Sequence, residues 1–315
     1  MKQYHDAMQK IMDQGVDRPD RTGTGTRSLF GMQMRFDLQQ GFPAVTTKKL
    51  AWKSVVSELL WFLEGSGDEN RLREILYGEE DSTKTTIWTQ NANADYWKPK
   101  AKYVGDLGRV YGVQWRHWQK PAAPGFMGWL KSLVGMVDTV DQIAELMEGL
   151  KNDSYGRRHV LTAWNPGELD QMALPPCHMF AQFYVEPMSI DEMKHLSLMN
   201  QDASVPTQKL SCQLYQRSCD MFLGVPFNIA SYSLMTHMMA QCLGMAVGDF
   251  VWTGGDCHIY NNHFDAVKVQ LERTEFPLPQ LKLNQDIMTI DGFTMADIEM
   301  IGYESHGTIK AQMAV

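Results

Sequence analysis

The sequence predicts a mixed α+β fold, and three observations carry that expectation. Residues 51–64 and 139–152 set apolar side chains at helical spacing. The second half holds short β-favouring runs at 158–164, 179–185, 209–216 and 247–253, separated by turns. Helices and strands alternate without a regular strand–helix–strand beat, which disfavours a doubly wound parallel sheet. At 315 residues, 44% of them hydrophobic and 21% charged, the chain can bury a large core and is read as one domain over 1–315.

Taken in chain order, the polar start Met1-Lys2-Gln3-Tyr4-His5-Asp6 carries no apolar signal region. In 51–64, Val55, Val56, Leu59, Leu60, Phe62 and Leu63 surround Glu58 on a helix expected to be buried. A carboxylate there costs free energy unless it is hydrogen-bonded or used, or sits at a partly exposed edge. Residues 66–110 read as loops and short helices. The segments 117–139 and 186–208 read as surface insertions, with His195 of the second facing solvent. From Thr139, the positions Val140, Ile143, Leu146, Met147 and Leu150 predict an amphipathic helix ending near Asn152. In 209–216, Leu210, Cys212 and Leu214 alternate with Ser211, Gln213 and Tyr215, predicting one buried face and one polar face looking into a site. An apolar helix over 229–243 and a more amphipathic one over 262–272 follow.

The formal net charge of −8 disfavours a general nucleic-acid coat or a binder of acidic membranes. It leaves room for a small anion held by a local arginine cluster. No apolar run is long enough to span a bilayer. Five cysteines at irregular spacing do not form a disulfide framework, so a reducing cytoplasm is the expected compartment.

Cys177 stands behind the rigid pair Pro175-Pro176. It is either a buried, inert thiol or a nucleophile made useful by neighbouring positive charge. His178 is adjacent, but neighbours on a strand point to opposite faces, so a direct Cys177–His178 pair is not expected. Arg21 lies in the Gly- and Thr-rich run Asp20–Thr26, which lacks the Lys-Ser/Thr ending of a nucleotide P-loop. Arg157-Arg158 and Arg217-Ser218 form further clusters. Each arginine is either a surface ion-pair residue or a fork for phosphate oxygens. In Gly254–His263 the spacing of Asp256, Cys257, His258 and His263 fits no metal site, whereas His258 and Tyr260 share one face and suit a sugar hydroxyl. The Asn228 amide can read a planar carbonyl–imide edge, or equally cap a helix after Pro226.

Several stretches in one order then carry a resemblance. They are Asp20–Thr26, Phe42-Pro43 with Thr46-Thr47-Lys48, Glu58–Leu63, Leu107-Gly108 with Val110-Tyr111-Gly112, and Gln114-Trp115-Arg116. They continue with Arg157-Arg158, Ala173-Leu174 with Pro176-Cys177-His178, Gln213–Ser218, Phe222–Gly224 with Pro226–Tyr232, and Gly255-Asp256 with His258, Tyr260 and Asn262-His263. Over its whole length the chain resembles the thymidylate synthase family. The resemblance implies a homodimer whose mixed sheets face each other, and conversion of dUMP to dTMP with 5,10-methylenetetrahydrofolate as donor of carbon and hydride. It implies that Cys177 adds to C6 of uracil, and that Arg21, Arg217 and Ser218 grip the phosphate with Arg157 and Arg158 from the other subunit. It also implies that Arg217 lies near enough to Cys177 to favour the thiolate. Asn228 would read the base, His258 and Tyr260 would hold the 3′-hydroxyl, and Glu58, Tyr111, His178, Gln216 and Asp256 would order water and relay protons. The folate would lie against Ile87, Trp88, Leu174, Leu223, Gly224 and Phe227. Asp220, also among the substrate-binding positions, would bond the pterin, Lys48 would meet the glutamate tail, and Ala314-Val315 would close a lid.

The chain departs from the family pattern at Thr89-Gln90-Asn91, where an Asp and then a second Trp are usual after Ile87-Trp88, and at Gln312, where a proline is common. The first removes an aromatic wall near the folate; the second implies looser closure of the lid. The related deoxycytidylate hydroxymethylases carry an Asp at the base-reading position, so Asn228 favours uracil. A non-catalytic RNA-binding role is unsupported by the net charge.

Overall fold

Alternating burial along four long strands builds one sheet with a single apolar face. The computed structural model describes residues 1–78, 83–121, 124–125, 131, 133, 136–199 and 205–312. The main sheet contains β1 (Val16–Arg18), β2 (Thr26–Asp37), β5 (Val160–Thr162), β6 (His178–Pro187), β7 (Gln208–Asp220) and β8 (Ala246–Tyr260), in the spatial order β1-β2-β8-β7-β6-β5. Neighbours are antiparallel except β7 and β8, which run parallel at the centre. Two small antiparallel pairs lie outside it: β3 (Trp118–Gln119) with β4 (Thr139–Val140), and β9 (Gln280–Leu283) with β10 (Ile298–Ile301). The mixed α+β architecture is the one expected.

The helices are α1 (Lys2–Gln14), α2 (Trp52–Leu63), α3 (Glu69–Tyr77), α4 (Thr89–Ala92), α5 (Tyr111–Arg116), α6 (Gln142–Asn152), α7 (Ile190–Met199), α8 (Gly224–Cys242) and α9 (Phe264–Leu271). Helix α8 is apolar almost all round, as a helix enclosed by its neighbours must be. It packs on β7 and β8, with α2 against it, and α1 packs on β2 and β8. The opposite sheet face is polar: Gln33 and Gln213 both donate to Thr253 Oγ1, at 3.1 and 3.2 Å. On it Arg35 pairs with Asp249, and Tyr184 is 62% exposed. Among the described residues no helix is long and apolar enough to cross a membrane.

Several expectations need correction. Helix α1 and the twelve-residue strand β2 are not among the expected elements, although Tyr4, Ala7, Met8 and Ile11 are buried at helical spacing. Helix α8 starts at Gly224, five residues before 229, because Pro226 sits in its first turn, where a missing N–H breaks no helical bond. Helix α6 starts after Asp141, whose side chain accepts from Ala144 N at 2.9 Å; Thr139 and Val140 are strand instead. The 186–208 segment extends β6, forms α7 and opens β7; residues 200–204 and the side chain of His195 lie outside what is described. Along β7, Leu210, Cys212 and Leu214 are buried as predicted. The alternating Ser211, Gln213 and Tyr215 belong to the polar sheet face and line no part of the main cavity. That cavity opens further along β7, at Gln216–Asp220.

Helices α2 and α5 touch through a glycine. A Cβ on Gly112 would overlap the Phe62 backbone, so Tyr111 reaches the core only because residue 112 has no side chain. Gly112→Ala is expected to lower stability by about 2 kcal/mol through overpacking, read as a lower urea midpoint with an unchanged m-value.

Candidate active site

The strand ends of β7 and β8 and the helices α2, α5 and α8 enclose a cavity of about 490 Å³, the size that takes a small-molecule ligand. Cys177 is in its wall, at the start of β6. A register shift between His178 and Phe180 kinks the strand there, as bulges do beside functional residues. Arg217 fastens the segment from behind. Its Nε donates to Pro176 O at 2.8 Å, its Nη2 to Pro175 O at 2.9 Å, and its main-chain N–H to Cys177 O at 2.8 Å. The guanidinium also lies over the Trp164 ring at 5.2 Å. The Cys177 N–H donates to Tyr111 Oη at 2.7 Å.

Burial pushes the Cys177 thiol above its ordinary value, while Arg217 and hydrogen bonds from Ser218 and Tyr111 pull it down without overcoming burial. Arg217 therefore acts in the expected direction, and burial outweighs it. His178 does not supply a base. Its ring stacks on Tyr111 with centroids 4.1 Å apart, and Nδ1 faces Tyr232 Oη at 3.0 Å. Burial lowers its pKa to about 3, so the ring is neutral.

Glu58 projects from α2 into the same cavity, and Trp88 Nε1 donates to its Oε1 at 2.7 Å. Burial raises its pKa to about 7 against the opposing effect of that bond, poising the group for proton transfer near neutrality. Trp88 is itself held in place from α3. The buried Glu69 Oε1 accepts from Thr86 Oγ1 at 2.9 Å and Thr89 Oγ1 at 2.6 Å, while its Oε2 lies 3.1 Å from Arg73. Gln216 is fixed by Trp252 Nε1, which donates to its Oε1 at 2.9 Å, and by its own bond to Ser218 O at 3.1 Å. Asn228 lies inside α8, past its first four residues, so it caps nothing; its buried side chain lines the cavity and makes no hydrogen bond among the described residues. Asp220 Oδ1 accepts from Phe222 N and Leu223 N at 3.0 and 2.9 Å, organising the entry into α8.

His258 and Tyr260 line the cavity together, edge-on with centroids 5.2 Å apart. Tyr260 is raised to about 12, chiefly by burial. Asp256 sits beside them, bonded to Arg18 rather than to Glu58 or Tyr111. Arg21, Ser218, Ile87, Leu174, Gly224 and Phe227 also reach the wall, as does Asn91, so the departure from an aromatic falls on a cavity-facing position.

Other expected residues are elsewhere. Lys48 is buried with its ammonium on Phe222 O and 3.7 Å from the centre of the Phe222 ring; burial lowers its pKa to about 8. That carbonyl satisfies the charge, which is why the side chain does not extend into the cavity. Leu223 packs against the core instead of the wall, its N–H tied to Asp220. Arg157 and Arg158 are exposed beside a separate depression with Glu145 and Asp153. Ala314 and Val315 lie outside the described residues; just before them, His263 Nε2 meets Gln312 O at 2.7 Å. Arg18, which stands outside the Asp20–Thr26 run, and Thr26 at its end also line the cavity. For Arg18 the available signal was a second arginine three residues before Arg21.

A small-molecule cavity that combines a thiol, arginines and a carboxyl titrating near neutrality is that of an enzyme acting on an anionic substrate. A family model described as thymidylate synthase matches residues 2–315, and the chain belongs to that family. Its reaction is the methylation of dUMP to dTMP, a methyl transfer with folate-dependent chemistry.

The Glu58 environment has a measurable signature. Its folded value of about 7 lies above the 4.5 of a free side chain, so ionisation disfavours the folded state. That contribution to stability is fully present below about pH 4.5, is lost as pH rises through about 7, and then levels. Glu58→Gln, which keeps an acceptor for Trp88, is expected to match the parent at pH 4 and to exceed it by about 3 kcal/mol at pH 8 in urea unfolding, with turnover sharply reduced.

Proposed function

We propose that Cys177 is the nucleophile of this reaction and that one catalytic domain over 1–315 works as a homodimer with shared active sites. The observation that carries the reading is the meeting of Cys177, Asn228 and Glu58 on one cavity with Arg21, Arg217 and Ser218. C5 of uracil is a poor carbon nucleophile. Addition of the Cys177 thiolate to C6 forms a carbon–sulfur bond and moves the electron pair of C5–C6 onto C5 and O4 as an enolate. The Asn228 amide meets O4 with its NH2 and the N3–H with its oxygen, holding the charge where it develops. A deoxycytidylate would present an amino group and an acceptor N3 to the same amide, which disfavours the hydroxymethylase alternative.

Arg217 is already bound to two carbonyls through Nε and Nη2, and a substrate phosphate would complete its fork alongside Arg21 and the Ser218 hydroxyl. Arg217 is therefore held beside the thiol before substrate arrives. The C5 proton leaves through Glu58 and the hydroxyl of Tyr111, with His178 and Gln216 as fixed neighbours. When C5 has gained its methyl group, the electron pair of the C6–S bond returns to Cys177 and the product is released.

5,10-Methylenetetrahydrofolate supplies the one-carbon unit and the hydride when bound, and leaves as dihydrofolate. The wall formed by Ile87, Trp88, Leu174, Gly224 and Phe227 suits a flat heteroaromatic ring, with the Asp220 carboxylate at hand for a ring N–H. Asn91 gives this wall less apolar area than a tryptophan would.

The polar, open face of the sheet is the surface we assign to the dimer contact, each copy presenting the same Gln33, Gln213 and Tyr184 patch. Arg157 and Arg158, which make no ion pair among the described residues and do not line their own cavity, then reach the partner's phosphate site.

Cys177→Ser is expected to bind dUMP but to lose nearly all turnover. The parent protein with 5-fluoro-dUMP and the reduced folate should give a stable adduct at Cys177 by intact mass and peptide mapping, since fluorine blocks loss from C5. An unmodified Cys177 would refute the nucleophile assignment. Sharing of sites is checked by mixing two inactive proteins, Cys177→Ser and Arg157→Ala/Arg158→Ala. After subunit exchange about a quarter of parent activity should return, because random pairing leaves one intact site in each mixed dimer. No recovery despite proven exchange would place the arginines in their own subunit's site.

A further inference from the structure

We propose that Arg18 is a positioning residue for sugar recognition: it holds the Asp256 carboxylate against His258 and so fixes which ring nitrogen meets the substrate. This deepens the reading above and rests on its assignment of His258 and Tyr260 to the deoxyribose hydroxyl.

Arg18 ends β1, and its Nη1 donates to Asp256 Oδ2 at 3.1 Å. The second carboxylate oxygen, Oδ1, is buried and lies 3.4 Å from His258 Nδ1. The same nitrogen is 3.1 Å from the Asp256 carbonyl oxygen. Both oxygens only accept hydrogen bonds, so Nδ1 carries the proton. With Nδ1 as the donor, Nε2 is left as the acceptor of a ring that lines the cavity, and no protein donor meets it among the described residues.

Tyr260 brings a hydroxyl beside that acceptor, and its raised pKa keeps the proton in place to be donated. An acceptor and a donor side by side match a substrate hydroxyl, which gives one hydrogen bond and takes another. They mismatch a 3′-phosphate ester, and they find nothing to bond at a carbon that bears only hydrogen. The Asp256 side chain is 39% exposed and would be free to turn without a second partner. Arg18 occupies Oδ2 and leaves Oδ1 directed at the ring. With Arg18 itself 56% exposed, the ion pair adds little to folding stability. Its effect belongs in ligand binding.

The test uses the full-length protein and three forms: parent, Arg18→Gln and Arg18→Lys. Binding of dUMP and of 2′,3′-dideoxy-UMP, which lacks only the 3′-hydroxyl, is measured by calorimetry alongside kcat and KM for dUMP. Arg18→Gln is expected to weaken dUMP binding about fivefold, the scale of one hydrogen bond, to raise KM to match, and to change kcat by less than about twofold. Binding of the dideoxy nucleotide should not change, and Arg18→Lys should restore most of the dUMP affinity. An equal loss on both nucleotides would mean that Arg18 acts on another part of the ligand, such as the phosphate, and would overturn the proposal. So would unaltered dUMP binding by Arg18→Gln. If the parent binds both nucleotides equally, His258 and Tyr260 do not hold the hydroxyl; the underlying assignment then fails, and the role of Arg18 falls with it.

Discussion

The fork of Arg217 on Pro175 and Pro176 is the contact on which the site depends. It joins the outgoing end of β7 to the segment entering β6 and holds both around Cys177. A proline carbonyl has no N–H of its own ring to compete with, and two in succession make a rigid acceptor pair. The guanidinium thereby keeps its charge close to the thiol at no further cost in side-chain freedom when substrate arrives. Loss of this fork would release the Cys177 segment from the end of β7.

The rest of the cavity is tuned by burial more than by charge. Burial raises Glu58 and Cys177, and lowers His178 and Lys48. Each of these shifts favours the neutral form, whereas hydrogen bonds hold two carboxylates of the cavity wall below their usual range, Asp256 through His258 and Arg18 and Asp20 through Thr22.

Much of this was legible in the sequence, for identifiable reasons. Helix α2 was, because its apolar run is long and Glu58 interrupts it. The buried positions of β7 were, because Leu210, Cys212 and Leu214 alternate over several residues. The neighbourhood of His258 and Tyr260 followed from a two-residue spacing on one strand. Strand β2 was not, since the polar Thr26 and Ser28 stand on its inward face and the apolar Leu29 on the other, and its Gly31 has φ +80° opposite the glycines of β8. Lys48 and Leu223 also escaped: whether a side chain near a cavity turns into it depends on a local acceptor, here Phe222 O and Asp220, that spacing does not reveal. Arg18 was hidden for a related reason, because its partner Asp256 lies 238 positions away.

The anchoring of Trp88 has a consequence for exchanging residues between relatives. Glu69 can accept from Thr86 and Thr89 only because both side chains are hydroxyls. Restoring the usual family aspartate at 89 by itself would set two carboxylates at one buried hydrogen-bonding position. Thr89 and Glu69 therefore form a linked pair across the α3–α4 boundary. Grafting the aromatic wall back into this chain requires swapping residues 69 and 89–91 as one unit, whereas a graft confined to the α4 turn would loosen Trp88 and, through it, the proton held at Glu58.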